Sequence, residues 1–69
     1  METYTKECSI EGYPACVTRI YQVASPDPKR EGLYKVTEYH EYNDRKNRAY
    51  SWAYGKKNQA IIKEAFNIK

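Results

Sequence analysis

Apolar and polar residues alternate along most of this chain, and the alternation stops at Gly55. In TYTKECSI, Tyr4, Cys8 and Ile10 fall on one side and Thr3, Thr5, Glu7 and Ser9 on the other, the period-two signature of a half-buried strand. EGYP supplies turn chemistry. ACVTRIYQVA then reads as a second strand, β-branched and aromatic with no breaker inside. SPDPKREG cannot sustain a ladder, because its prolines lack donors and a glycine closes it. LYKVTEYHEY and RAYSWAY are strands three and four, joined by the polar turn NDRKN. Past Gly55, Ile61, Ile62, Ala65 and Phe66 recur at helical spacing, with Ile68 closing the stripe. The pattern predicts one α+β domain over residues 1–69: a four-stranded, mostly antiparallel β-meander with one C-terminal α-helix packed on one face.

Centring the turns predicts the registers. A first turn on Gly12 sets Cys8 opposite Cys16 and Tyr4 opposite Ile20. Opposed Cβ atoms lie ~4.5–5.5 Å apart, near a disulfide's reach, although a reducing compartment favours two thiols. A second turn on Arg45 sets Val36 opposite Tyr54, Glu38 opposite Trp52, His40 opposite Tyr50 and Tyr42 opposite Arg48. One face then carries Tyr34, Val36, Tyr42, Tyr50, Trp52 and Tyr54. The other carries Lys35, Thr37, Tyr39, Glu41, Ala49, Ser51 and Ala53. The helix is expected on the aromatic face, which is the more apolar. A helix on the small Ala49/Ala53 face would instead leave the rings as a platform for stacking bases.

Composition narrows the possibilities. A chain of this length buries only about 60% of its unfolded surface, leaving little room for a deep pocket. Eight tyrosines, one tryptophan and one phenylalanine supply large rings that serve equally for packing and for contact. Two cysteines are too few for a metal site of their own. No stretch approaches the ~20 apolar residues of a membrane span. The start, METYTKECSIEG, lacks a secretory apolar run, so a cytoplasmic location is expected. The net charge of +3 is unevenly spread: residues 1–42 carry five basic and seven acidic side chains, residues 43–69 seven basic and two acidic. Such asymmetry points to a polyanionic partner for the C-terminal half, though a charge of this size also serves solubility.

The lysine pair of GKKNQ carries the best functional lead. Lysines in a first helical turn oppose the positive end of the helix dipole, and free N–H groups beside two ammonium groups make an anion pocket. The plainer alternative starts the helix later, with Asn58 as N-cap. Arg45, Lys46 and Arg48 cluster at the hairpin tip, ~23 Å away along the fourth strand, so the two groups bracket a length of nucleic-acid backbone. GKKNQAIIKEAF is similar to the last helix of the double-stranded-RNA-binding domain, where a lysine pair contacts phosphates. Here Ala60 falls one position late and no helix precedes the first strand, so the resemblance implies phosphate contact and nothing further.

Catalysis has no support in these residues. The single histidine, His40, lies mid-strand between Glu38 and Glu41 with nothing to orient a nucleophilic pair. No phosphate-binding glycine loop, metal spacing or paired carboxylates occur, so neither enzyme activity nor a cofactor is expected. The expected function is a small basic module contacting nucleic-acid phosphates through Lys56, Lys57, Arg45, Lys46 and Arg48, with Tyr39 or Tyr42 stacking. The alternative is a protein-binding modulator, of the inhibitor type that phages and mobile elements encode, using a Tyr-rich surface. The chain is expected to be a monomer, or a homodimer through an edge strand.

Overall fold

The computed structural model describes all of residues 1–69. Strands β1 (Tyr4–Cys8), β2 (Val17–Pro26), β3 (Tyr34–Tyr42) and β4 (Arg48–Ala53) form one antiparallel sheet in chain order. A 3₁₀ turn, Lys56–Asn58, leads into helix α1 (Gln59–Ala65). The β-β-β-β-α meander is the architecture the alternation predicts.

The registers depart from centred turns. Tyr4 pairs with Ala24 and Cys8 with Ile20, so Cys8 does not face Cys16, and both remain free thiols. The cause lies in the connection. Gly12 (φ 86°) closes one turn, with the Tyr13 N–H on the Ile10 carbonyl at 3.1 Å. Pro14 opens another, closed by the Val17 N–H on the Pro14 carbonyl at 3.0 Å. Pro14 has no N–H to give to a ladder, which keeps β2 from starting beside it.

The second hairpin is displaced by two residues. Val36 pairs with Trp52, Glu38 with Tyr50 and His40 with Arg48. Tyr42 no longer meets Arg48, because Asn47 Oδ1 accepts the Tyr42 N–H at 3.0 Å and ends the ladder there. Side chains alternate with period two, so an even slip leaves each residue on its expected face. β2 holds one further surprise, a bulge between Val17 and Arg19. It turns Val17 to the face of Ile20, and both are buried, whereas strict alternation sets Val17 beside Arg19 and Tyr21.

The core lies on the aromatic face, as expected. Ala24, Tyr34, Val36 and Ile62 are buried there, flanked by Tyr4, Tyr54, Phe66 and Ile68. Asn67 (φ 56°) ends the helix, with the Ile68 N–H on the Lys63 carbonyl at 2.8 Å and the Asn67 N–H on the Glu64 carbonyl at 3.3 Å. This Schellman closure folds Ile68 back onto the core.

Gln59 ties the helix to the sheet. Its Oε1 accepts the Tyr34 N–H at 2.8 Å, and its Nε2 donates to the carbonyls of Tyr34 (3.1 Å) and Tyr54 (3.2 Å). The register would bring Tyr54 opposite Tyr34 next, so the Gln59 amide stands where the β3–β4 ladder would continue.

Candidate functional site

β4 is the outer strand of the sheet and is exposed along its whole length. The helix has only seven residues and covers one end of the aromatic face, above Ala24, Tyr34 and Val36. Further along β4, Tyr50 and Trp52 remain 41% and 44% exposed. A helix on the aromatic face predicts these rings in the core, but α1 is too short to cover them.

Tyr50 is braced from below. Its ring meets His40 edge-on at 5.3 Å, and His40 meets Tyr13 of the β1–β2 connection edge-on at 6.0 Å. His40 Nε2 lies 2.7 Å from Glu38 Oε2, and Gln22 Nε2 donates to Glu38 Oε1 at 2.9 Å. Bonds from His40 and Gln22 hold the Glu38 carboxyl below its ordinary value of 4.5. A carboxylate with a lowered folded pKa adds stability that is complete above that ordinary value and lost as pH falls through the lowered one. Glu38→Gln is therefore expected to flatten the acid limb of stability against pH, measured by urea denaturation between neutral and strongly acidic pH. An unchanged limb would show that this bond contributes nothing.

Trp52 forms one wall of an apolar groove of about 440 Å³ between sheet and helix, with Val36, Tyr54, Ile61, Ile62 and Phe66. Ile61, on its rim, is 65% exposed.

The expected cations divide. Arg45 is engaged with its neighbour: its guanidinium bonds Asp44 at 2.9 Å, lies 5.2 Å from the Tyr42 ring and reaches Cys16 Sγ at 4.0 Å. That bond holds Asp44 below the usual carboxylate range. Lys46 and Arg48 are exposed near the start of β4 and Lys56 and Lys57 beyond its end, and no ion pair engages these four. The lysine pair sits in the 3₁₀ turn, and α1 starts only at Gln59. Of the two helix starts the sequence allows, the later one is found, with Lys56 and Lys57 outside the α-helix. Asn58 occupies the N-cap position without a side-chain bond, and the Gln59 amide, anchored to β3, sets where the helix begins.

The two tyrosines expected to stack lie elsewhere. Tyr39 is on the opposite face, stacked on Tyr21 at 5.0 Å, and the Arg19 guanidinium lies 4.0 Å from the Tyr21 ring. Tyr42 is the ring that Arg45 approaches. The SPDPKREG loop carries no sequence signal that joins its cations to the site. Arg30 donates to the Tyr54 carbonyl at 2.7 Å and pairs with Asp27. Lys29 and Lys35 line a cleft with Ser51, Trp52 and Ala53. Lys35 stands opposite Ala53 in the β3–β4 ladder, whereas Lys29 and Arg30 are brought to β4 by the β2–β3 turn.

No group of three or more His, Cys, Asp or Glu side chains gathers as a metal site would require, and no helix is long and apolar enough to cross a membrane. Compared with family models, curated proteins and solved structures, the chain matches none.

Proposed function

We propose that this protein binds single-stranded nucleic acid along β4. The observation that carries the reading is the pair of exposed rings, Tyr50 and Trp52, set between unpaired cations. Two residues along a strand rise about 7 Å, so the rings offer platforms for successive unpaired bases. A duplex hides its base faces, which favours single strands. Lys46 and Arg48 before the rings, with Lys56 and Lys57 after them, are placed to meet phosphates and set the register of the bound strand.

Trp52 reports on the site directly. Single-stranded oligonucleotides are expected to change its fluorescence, with the logarithm of affinity falling linearly with that of salt concentration. Lys56→Glu with Lys57→Glu, both at exposed positions, is expected to weaken binding to every sequence and to make the salt dependence shallower. No fluorescence change even at low salt would sink this reading.

The apolar groove beside Trp52, with Ile61 exposed on its rim, favours a second reading, a protein-binding modulator. It predicts a complex that resists salt and is lost with Ile61→Asp.

A further inference from the structure

We propose that the protein pairs with a second copy of itself through β4, strand to strand and antiparallel, joining the two sheets into one. The two edges of the sheet differ in a way that singles out β4. β1 carries Lys6 and Glu7 within its five residues, and charges on an edge discourage pairing. From Ala49 to Ala53, β4 reads AYSWA. That run has no charge, proline or bulge, and no other strand lies beyond it. The backbone groups on its outer side form an open ladder that a second strand satisfies.

The side chains are self-complementary in one register. A two-fold axis through Ser51 sets Tyr50 opposite the partner's Trp52, and Trp52 opposite the partner's Tyr50. Ala49 and Ala53 face each other in the same way, and Arg48 meets the partner's Tyr54. Within the strand itself no like charges oppose one another, but beyond its ends Lys46 comes level with the partner's Lys56, so association is expected to tighten as salt screens that repulsion. Directly opposed residues share a face, so both helices lie on one side of the joined sheet, and the four rings form two cross-strand aromatic pairs. With β3 fixing which edge of β4 is free, the competing registers are slips of two residues, which set Trp52 against the partner's Trp52 or the partner's Arg48 and lose both Tyr–Trp pairs. The inference rests on the β4 edge alone and is independent of nucleic-acid binding. Where both hold, the dimer doubles the ring platform.

Sedimentation equilibrium of the full chain, without nucleic acid, tests this. The interface is short, so association belongs in the roughly micromolar-to-millimolar range. The mass is expected to rise with concentration from 8.2 kDa towards twice that value. Ala49→Lys with Ala53→Lys, at two exposed positions, sets lysine against lysine twice across the axis and is expected to raise the dissociation constant about tenfold or more. Ala49→Lys with Ala53→Glu sets opposite charges together and is expected to restore the dimer. A wild-type mass of 8.2 kDa throughout overturns the proposal, and so does a double-lysine variant that associates as tightly as wild type. A charge-swapped variant as weak as the double-lysine one overturns the register.

Discussion

Replacing Tyr50 and Trp52 together by alanine is expected to weaken single-strand binding about a hundredfold, at ~1–3 kcal/mol per stacked base. Fluorescence anisotropy of a labelled oligonucleotide measures this, since the variant has no tryptophan. The direction follows from exposure. Both rings stand on the helix face of β4, yet the short helix stops short of them, so truncation removes contact surface before it removes core. Trp52 does line the groove beside Ile62 and Phe66, and a urea denaturation separates any loss of folding from loss of binding. Tyr39→Ala supplies the contrast. Tyr39 stacks on Tyr21 across the opposite face, and its removal is expected to leave the affinity near wild type. Equal losses from both variants would mean that binding does not follow β4. An unchanged affinity in the double variant would leave charge alone as the source of any binding.

Gln59→Ala is expected to cost about 2–4 kcal/mol of stability, because it strips partners from buried backbone groups. The amide supplies one acceptor and two donor contacts to the backbone of Tyr34 and Tyr54. Alanine leaves the Tyr34 N–H and carbonyl facing an apolar gap, while Tyr54 keeps the Arg30 bond. In a domain holding roughly 5 kcal/mol in total, this leaves about 1–3 kcal/mol and raises the unfolded fraction to roughly 1–15%. Gln59→Glu separates hydrogen bonding from shape. The carboxylate still accepts from Tyr34 N–H, but its second oxygen meets two carbonyl oxygens instead of donating to them. That repulsion raises the folded-state pKa of the new carboxyl above its unfolded value. The variant's deficit relative to wild type is therefore expected to shrink as pH falls through the raised value, when the protonated carboxyl donates again. Urea midpoints for both proteins at neutral and mildly acidic pH read this out. A deficit independent of pH would mean that volume, and not the bonding pattern, makes Gln59 important.

The candidate site was legible in part. Lys46, Arg48, Lys56 and Lys57 stand near the two ends of β4 because strand length is a local property, readable from where alternation begins and ends. Arg45 was legible as a cation but not as one bound to Asp44. Tyr39 and Tyr42 looked like the exposed rings because Tyr50 and Trp52 alternate with the strongest apolar pattern. How far the helix reaches across them is not written in any short window. Lys29 approaches β4 only through the fold of the β2–β3 turn, whereas Lys35 follows from the β3–β4 hairpin itself, opposite Ala53.

The sequence by itself determined the strand count, the final helix and the sorting of residues onto two faces. These follow from periods of two and 3.6, and a face assignment survives any even slip in register, as the second hairpin demonstrates. Only the tertiary structure decided the registers, the bulge at Val17 and the separation of Cys8 from Cys16. It also decided the helix start at Gln59 and the exposure of Tyr50 and Trp52. The registers and the helix start depend on which backbone groups find partners: Gln59 on Tyr34 across 25 residues, and more locally Asn47 on Tyr42 and the paired turns around Pro14. Hydrogen-bond satisfaction, whether in a turn or across the fold, has no period, so alternation cannot reveal it.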